Sequence, residues 1–289
     1  MIKKAIILCG GTGSRMFPST KTTNKQLLPV YDKPMFYYPL SLLMLIGIKD
    51  FLFIISKGQQ ENFLKSIGSS NDLGINIQFK EQNKPNGLPE AFILGEEFIG
   101  KDSVLMILGD NFFYGNMLTP VIKKTLSIKS GANIYLYPSK NTSAYGVVEL
   151  KKNGKINKII EKPIFTKSNL VITGMYVFDN KVIEYAKKLK PSKRNELEII
   201  DLLNKYRKKN NLNAEFLGRG GAWLDTGSID DFYNTSAFVS SLENRQGLKI
   251  ACLEEIALNY SWINKKQVDD AINFYGKCIY SDYLKKLIR

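Results

Sequence analysis

The chain has 289 residues, of which 44% are hydrophobic and 24% charged, as is typical of a folded globular protein with a large core. It contains no histidine, so catalytic triads that use an imidazole and zinc sites with histidine ligands are excluded. The formal charge of +14 comes from 35 lysines and 6 arginines that are spread along the chain without a basic block among aromatic residues, so we expect no nucleic-acid partner.

The first half of the chain alternates short strand-like runs with helical patterns, which predicts βαβ units. We therefore predict an α/β protein with a Rossmann-like, mixed but largely parallel sheet flanked by helices. The first apolar run is too short for a signal peptide, and no run is long enough to cross a membrane, so we expect a cytoplasmic protein without a membrane partner. The predicted strands are 5–9, 51–55, 76–80 and 104–108, and the predicted helices lie within 38–46, 60–67 and 89–99.

The second half of the chain predicts further strands, a hairpin and a helical tail. Asn153-Gly154 lies between two apolar runs and is a strong hairpin signal, so the middle of the sheet should be mixed. We predict a main domain over 1–242 and a small helical region over 243–289. The predicted strands are 133–137, 146–150, 156–161 and 171–178, and the predicted helices are 180–189, 198–209, 229–242 and short segments near 253–258, 268–274 and 281–288.

The three cysteines, Cys9, Cys252 and Cys278, are odd in number and far apart in the sequence. This spacing argues against a disulfide framework and against a Cys-x-x-Cys metal or redox site. We expect each thiol to be buried and unreactive. Chemistry in this protein must then depend on carboxylates, lysines, arginines, backbone amides and a hard metal ion.

A glycine-rich loop follows the first predicted strand. It matches neither the dinucleotide fingerprint, which needs a glycine where Met16 stands, nor the P-loop. Gly10, Gly11 and Gly13 would still let backbone N–H groups approach an anion, and basic residues downstream would add positive charge. On these residues alone, an ordinary strand-to-helix turn with exposed basic side chains is an equal alternative.

Two carboxylates lie at the ends of predicted elements. Asp110 and Asn111 follow the run 104–108, and Asp225 stands just before a predicted helix. In open α/β sheets ligands bind beyond the carboxyl ends of the strands, and two carboxylates there can hold one Mg²⁺ while leaving room for phosphate oxygens. A turn residue at Asp110 and a helix cap at Asp225 would explain the same pattern.

Longer motifs occur in order along the chain and carry a resemblance to a known family. They are GGTGSRMFPSTKTTNKQLLPVYDKPMFYYPL, GDNFFYG, YGVVEL, EKP, ELEIIDLLN, GRGGAWLDTG and, in the tail, RQGLKIACLEEIAL. The chain resembles the glucose-1-phosphate thymidylyltransferases of the sugar nucleotidyltransferase family. The resemblance implies the nucleotide-diphospho-sugar transferase fold, with a catalytic domain over 1–242 and a tail over 243–289 that serves packing, oligomerisation and regulation.

The resemblance also implies the reaction and its partners. It implies Mg²⁺-dependent transfer of thymidylyl from dTTP to α-D-glucose 1-phosphate, giving dTDP-glucose and pyrophosphate, as the first step toward dTDP-rhamnose. A homotetramer is implied as well. The nucleophile would be a phosphate oxygen that is already ionised at neutral pH, so the reaction needs no general base and the missing histidine is no obstacle.

Residue roles follow from the same resemblance. The implied catalytic residues are Arg15, Lys25, Asp110, Lys162 and Asp225, with Asp110 and Asp225 holding Mg²⁺. The implied nucleotide-binding residues are Gly10, Gly11, Gly13, Gln82 and Gly87. The implied sugar-phosphate-binding residues are Asn111, Gly146, Glu161, Lys162, Gly174, Tyr176, Arg194 and Trp223. A second site for the feedback ligand dTDP-rhamnose is implied at Gly115, Arg219, Gly220, Lys249, Cys252, Glu255 and Ile256.

Some positions depart from the family pattern. Phe17 stands where tyrosine or histidine is expected, and Asn195 replaces a glycine beside Arg194. Neither change removes an implied metal ligand or catalytic cation. A uridylyltransferase of the same fold and a catalytically silent sugar-nucleotide-binding regulatory protein are the two alternatives.

Overall fold

The computed structural model describes residues 1–68 and 70–289. Its strands are β1 (Lys4–Cys9), β2 (Pro29–Val30), β3 (Lys33–Pro34), β4 (Asp50–Ser56), β5 (Asn76–Gln82), β6 (Val104–Leu108), β7 (Asn111–Tyr114), β8 (Ala132–Pro138), β9 (Gly146–Leu150), β10 (Ile156–Glu161), β11 (Leu170–Phe178), β12 (Leu212–Phe216) and β13 (Ala222–Asp225). Its α-helices are α1 (Tyr37–Leu45), α2 (Gln60–Ile67), α3 (Glu90–Leu94), α4 (Glu96–Ile99), α5 (Leu118–Thr125), α6 (Lys181–Lys187), α7 (Ile199–Lys208), α8 (Ile229–Gln246), α9 (Leu253–Asn259), α10 (Lys265–Tyr275) and α11 (Ile279–Ile288).

A mixed sheet forms the centre of the molecule, as the sequence predicted. Its main path runs β10-β9-β11-β6-β1-β4-β5, and β8 extends it from β11 and carries β12. The neighbours β6, β1, β4 and β5 are parallel, whereas β11 runs antiparallel to β6, β8 and β9. The carboxyl ends of β1, β4, β5 and β6 therefore lie along one edge, where parallel α/β sheets bind their ligands.

Both faces of the sheet are covered, so its central strands are apolar on both sides. In β1, Ala5, Ile7 and Cys9 pack into one core layer with α1 and the tail helices, and Ile6 packs into the other with α3, α6 and α7. Successive side chains of a strand point to opposite faces, which explains this division of a continuous apolar run.

A separate two-stranded ribbon positions the second predicted carboxylate. Strand β13 pairs antiparallel with β7, and Asp225 lies opposite Asn111 in the register. Thr226 continues this arrangement, because its N–H and its hydroxyl both donate to the backbone oxygen of Asp110. The ribbon brings together Asn111 and Asp225, which are 114 positions apart in the sequence.

The tail packs onto the core of the same chain. Helix α9 lies against α1, and Leu253, Ala257, Val268 and Leu284 are buried in the same apolar layer as α1. Helix α8 runs through residue 242 and ends at Gln246, where Gly247 adopts a left-handed conformation. The division of the chain at residue 242 stays a prediction.

Most predicted elements are present, and the differences have local causes. The hairpin at Asn153-Gly154 is confirmed, since Gly154 has φ 77° between β9 and β10. The helix predicted over 89–99 is two short helices, because Gly95, with φ −89° and ψ 9°, departs from helical geometry between them. The prediction for Cys278 was wrong, because this thiol is exposed at the start of α11.

Candidate active site

The predicted site residues gather at the carboxyl ends of β1 and β6. These strands are parallel neighbours, and the N–H of Gly109 donates to the backbone oxygen of Leu8 over 2.9 Å. The glycine loop and Asp110 consequently leave the sheet side by side. A cavity of about 400 Å³ opens there. It is bordered by predicted nucleotide-binding residues such as Gly10 and Gln82 and by the predicted sugar-phosphate-binding residue Lys162.

The glycine loop presents backbone donors that have no partner. The N–H groups of Gly11, Thr12 and Gly13 meet no acceptor among residues 1–68 and 70–289. Gly11 has φ 105° and Gly13 has φ 61°, conformations that favour glycine. A smaller cavity bordered by the loop also receives Arg15 and Lys25. Successive free N–H groups beside cations form an anion-binding concavity.

Lys25 and Asp110 form an ion pair at the floor of this smaller cavity. Lys25 Nζ lies 2.6 Å from Asp110 Oδ2, with side-chain exposures of 7% and 20%. Burial acts to raise the pKa of Asp110, but the Lys25 ammonium and its hydrogen bond outweigh burial, so the net effect lowers this pKa. Asp110 is therefore held as a carboxylate at neutral pH.

Asp225 interacts electrostatically with Lys25 and Asp110, but its pKa is shifted in the opposite direction from that of Asp110. Burial first, and then repulsion from the Asp110 carboxylate, raise the pKa of Asp225 to about 6, although Lys25 and Arg15 oppose this. A β-carbon built on Gly227 would lie 2.7 Å from Arg15 Nη2 and 3.0 Å from Asp225 Oδ2. The side chains of Arg15 and Asp225 thus both lie close to Gly227, which begins the turn into α8.

This pair of carboxylates fits a magnesium ion. The carboxylate of Asp225 makes no hydrogen bond to any described residue, which leaves its two oxygens free for a ligand. Carboxylate oxygens are hard ligands that Mg²⁺ prefers, and it commonly takes few of them together with phosphate oxygens and water. No group of three or more Asp, Glu or Cys residues suited to a metal occurs in residues 1–68 and 70–289. Substrate would therefore have to complete the coordination.

Gln82 and Gly87 lie on the wall of the larger cavity, at the end of β5. Gln82 is buried, and a β-carbon built on Gly10 would lie 2.6 Å from its Oε1. Gly87 has φ 102°, and a β-carbon there would lie 2.0 Å from the backbone oxygen of Leu197. Any larger residue at position 87 would displace the loop that carries Arg194.

The larger cavity is also bordered by the basic residues predicted to hold the sugar phosphate. Arg194 donates from Nε and Nη2 to Glu198, and its Nη2 lies 3.6 Å from Glu161 Oε1. Burial raises the pKa of Glu161, although Lys162 opposes this. Lys162 has φ 42°, a strained conformation of the kind that is concentrated at functional sites. Asn195 has φ 57°, so an asparagine, which tolerates this conformation, can replace the usual glycine.

Asn111 connects the carboxylate pair to the predicted sugar-binding residues. It is 2% exposed, and its Nδ2 donates to Asp110 Oδ1 over 3.0 Å. Its Oδ1 accepts from the N–H of Gly174 at 3.0 Å and from Nε1 of Trp223 at 2.6 Å. With both lone pairs of this oxygen engaged, Asn111 orients its neighbours. A β-carbon on Gly174 would lie 2.5 Å from the same oxygen.

Of the remaining predicted sugar-site residues, Gly146 and Tyr176 lie near Glu161. A β-carbon on Gly146 would lie 3.6 Å from Glu161 Oε2. Tyr176 is buried, and burial together with the Glu161 carboxylate raises the pKa of its hydroxyl. Trp223 is also buried, and its ring packs edge-on against Tyr145 at 5.0 Å.

The sequence interpretation missed three residues of this region. Gln26 is 3% exposed, and its Oε1 is a buried polar atom without a hydrogen-bond partner among the described residues. It borders the smaller cavity beside Lys25, so it is available to a ligand. Glu198 anchors Arg194, and Tyr145 lies near Asp225 and Arg15. The motifs KQLLP, YGVVEL and ELEII contained these residues, but no spacing rule pointed to them.

The predicted regulatory residues gather at a second cavity away from the first. A cavity of about 340 Å³ is bordered by Gly115, Lys249, Cys252, Glu255 and Ile256. Gly220 lies next to this cavity, since its backbone oxygen is 3.0 Å from a β-carbon built on Gly115. Arg219 is exposed and does not border the cavity.

Comparisons with known proteins identify the family. The family model described as nucleotidyl transferase matches residues 4–241. The chain belongs to this nucleotidyl transferase family. The glucose-1-phosphate thymidylyltransferase of Neisseria meningitidis is 46% identical over 286 residues, covering 99% of each chain. That of Mycobacterium tuberculosis H37Rv is 44% identical over 285 residues, again covering 99% of each.

Solved structures agree with this membership. A Bacillus anthracis protein assigned as a glucose-1-phosphate thymidylyltransferase, in complex with a sucrose, superposes with a TM-score of 0.75 at 37% identity, covering 81% of this chain and 94% of that one. A UDP-glucose pyrophosphorylase complexed with UDP-glucose has a TM-score of 0.73 at 26% identity, covering 84% and 100%. The described part of this nucleotidyl transferase contains no helix long and apolar enough to cross a membrane.

Proposed function

We propose that this nucleotidyl transferase transfers a thymidylyl group from dTTP to α-D-glucose 1-phosphate, releasing dTDP-glucose and pyrophosphate. The observation that carries the proposal is the row of free N–H groups at Gly11–Gly13 beside the Lys25–Asp110 pair, in a cleft that Lys162 and Arg194 also border. Two groups of anion-binding residues in one cleft suit a reaction between two phosphates. Relatives named for this activity, similar along nearly the whole chain, support it.

In this proposal the protein aligns two phosphates and neutralises charge. The loop amides and Arg15 hold the triphosphate, while Lys162 and Arg194 hold the sugar phosphate so that its oxygen faces the α-phosphorus. Lys25 stabilises the charge that develops on the departing pyrophosphate. Gln82 and the Gly87 amide read the base. Gln26, with its free buried oxygen, is available to a hydroxyl or N–H donor of the bound substrates.

We propose Mg²⁺ as the metal of this site, held by Asp110 and Asp225. Bound there, Mg²⁺ would supply charge neutralisation at the phosphates. The support is the repulsion between the two carboxylates, which after burial raises the pKa of Asp225, and the absence of hydrogen bonds at the Asp225 carboxylate among the described residues. We also propose the finer features of partner and place: a homotetramer, work in the cytoplasm, and feedback binding of dTDP-rhamnose at the second cavity.

Uridylyl transfer is the second candidate, because a UDP-glucose pyrophosphorylase shares the fold at 26% identity. One experiment separates the two. Pyrophosphate release is measured with glucose 1-phosphate, Mg²⁺ and each nucleoside triphosphate in turn. Thymidylyl transfer predicts the largest kcat/KM with dTTP, lower use of UTP and little use of CTP or GTP. A larger kcat/KM with UTP would favour uridylyl transfer, and no release with any nucleotide would reject both.

A further inference from the structure

Glu90 holds the side chain of Gln82 in one orientation. The Nε2 group of Gln82 donates to Glu90 Oε2, and Asn86 Nδ2 donates to Glu90 Oε1 over 2.8 Å. Glu90 is the first residue of α3, so the helix fixes the position of its backbone. A carboxylate has acceptors only, and therefore the side of the Gln82 amide that meets Glu90 must be its NH₂ group.

The opposite side of the amide then faces the cleft. A β-carbon built on Gly10 would lie 2.6 Å from Gln82 Oε1, so this oxygen lies against the glycine loop at the cavity wall. Gln82 is 7% exposed and cannot rotate freely into solvent. It presents the cavity with one acceptor and with the second N–H of its NH₂ group.

This orientation matters because pyrimidines differ in their hydrogen-bonding edges. Thymine and uracil place an N3–H donor beside a carbonyl acceptor, whereas cytosine places an N3 acceptor beside an amino donor. A glutamine amide can pair with either edge, but only by turning over. Turned over, its oxygen would face the carboxylate of Glu90, and two acceptors in contact without a proton between them repel each other.

We infer that Glu90 is a positioning residue that sets the choice of pyrimidine, by holding Gln82 in the orientation that reads thymine and uracil and rejects cytosine. The inference rests on the proposed function, specifically on Gln82 at the base. Glu90 itself touches no substrate in this account. It acts by excluding the second orientation of the Gln82 amide.

The substitution Glu90→Gln tests this inference. It keeps the size of the side chain, but its amide can donate as well as accept, so Gln82 is free to turn over. The ratio of kcat/KM for dTTP over dCTP should fall about three- to tenfold, the loss of one hydrogen-bond preference. The KM for glucose 1-phosphate should not change. Glu97→Gln removes the same charge from the exposed surface of α4 and should keep the parent ratio.

A double variant separates orientation from general damage. Combined with Gln82→Ala, Glu90→Gln should lower the ratio no further, because the group that it positions is absent. Additive losses, or a parent-like ratio in Glu90→Gln, would overturn the inference while leaving thymidylyl transfer intact. Glu90→Ala replaces Glu90→Gln if the latter does not fold. If the parent uses UTP but not dTTP, the proposed nucleotide is wrong, and the UTP over CTP ratio then tests Glu90.

Discussion

The 2.6 Å ion pair between Lys25 Nζ and Asp110 Oδ2 joins the end of β6 to the segment that follows the glycine loop. Two neighbouring residues interact electrostatically with this pair: Arg15 lowers the pKa of Asp110, and the Asp110 carboxylate raises the pKa of Asp225. An ammonium in this position is available both to the carboxylate and to a phosphate oxygen. This relationship makes Lys25 the residue whose loss should affect the chemical step most directly.

We predict that Lys25→Ala lowers kcat about 100-fold or more and leaves the KM for glucose 1-phosphate nearly unchanged. The reason is that a cation at the departing pyrophosphate acts mainly in the transition state. Steady-state pyrophosphate release measures both constants. Lys151→Ala, at an exposed position in the β9–β10 turn, is the control and should match the parent. A raised KM with unchanged kcat would assign Lys25 to ground-state binding instead.

Asp225→Asn should stabilise the metal-free protein in a pH-dependent way. Burial and the Asp110 carboxylate raise the pKa of Asp225 to about 6, above its unfolded value of about 4. Such a group favours the folded state below pH 4, and this contribution is lost as pH rises through 6. Removing the charge should therefore raise the free energy of unfolding at pH 8 by about 1–3 kcal/mol, with no gain at pH 4. Denaturant unfolding with a chelator present measures this.

The same variant should lose turnover by orders of magnitude despite its greater stability, because a metal-holding charge is gone. Asp230→Asn, at an exposed position on α8, is the control for both measurements. An equal stability change at both pH values would show that ionisation of the buried Asp225 carboxylate is not its cause. Turnover close to that of the parent would remove Asp225 from the site.

Lys162→Ala should raise the KM for glucose 1-phosphate about tenfold or more, with a smaller effect on kcat. Lys162 Nζ lies 3.9 Å from Glu161 Oε1, and Lys162 borders the larger cavity together with Arg194, whereas Lys25 and Asp110 border the smaller one. Loss of a charge-assisted hydrogen bond to the bound phosphate gives this magnitude. Lys167→Ala, exposed in the same loop, provides the comparison. An effect confined to the KM for dTTP would assign Lys162 to the nucleotide instead of the sugar phosphate.

The sequence predicted those residues of the site that directly follow recognisable strands. Gly10 to Gly13 and Asp110 follow strands whose apolar runs are easy to recognise, and parallel strands bring such ends together. Asp225 was associated with Asp110 only by its position at the end of a predicted element and by the family resemblance. The ribbon that joins them consists of two four-residue strands far apart in the sequence, and no local pattern encodes their pairing.

Other site features depend on tertiary contacts that periodicity cannot reveal. The side-chain oxygen of Gln26 is identified only by the absence of a hydrogen-bond partner among the described residues around it. The orientation of Gln82 depends on Glu90, eight residues away in the sequence. Cys278 was misjudged because buried cysteines are the more common case, whereas here the residue caps a short terminal helix. In each case, the neighbouring residues that determine the environment of the side chain lie outside its sequence motif.

The second cavity leads to a prediction about regulation. Lys249 on its border also pairs with Glu243 at the end of α8, and the other end of α8 begins beside Asp225, so one helix spans the distance between the two sites. A ligand bound at this cavity can influence the catalytic cleft only if the two sites share a coupling free energy, typically ~1–3 kcal/mol. Equilibrium dialysis should then find more than one thymidine-nucleotide site per chain.

Arg219→Ala should weaken inhibition by dTDP-rhamnose about fivefold or more, because Arg219 is exposed and directly precedes Gly220, which lies next to the second cavity. Turnover without inhibitor should be spared, because Arg219 lies outside the catalytic cleft. Lys123→Ala, another exposed basic residue, should keep the parent inhibition constant. The measurement is an inhibition series at several dTTP concentrations. One nucleotide site per chain, or inhibition that is purely competitive with dTTP and insensitive to Arg219→Ala, would place the inhibitor in the catalytic cleft and leave the second cavity without a regulatory role.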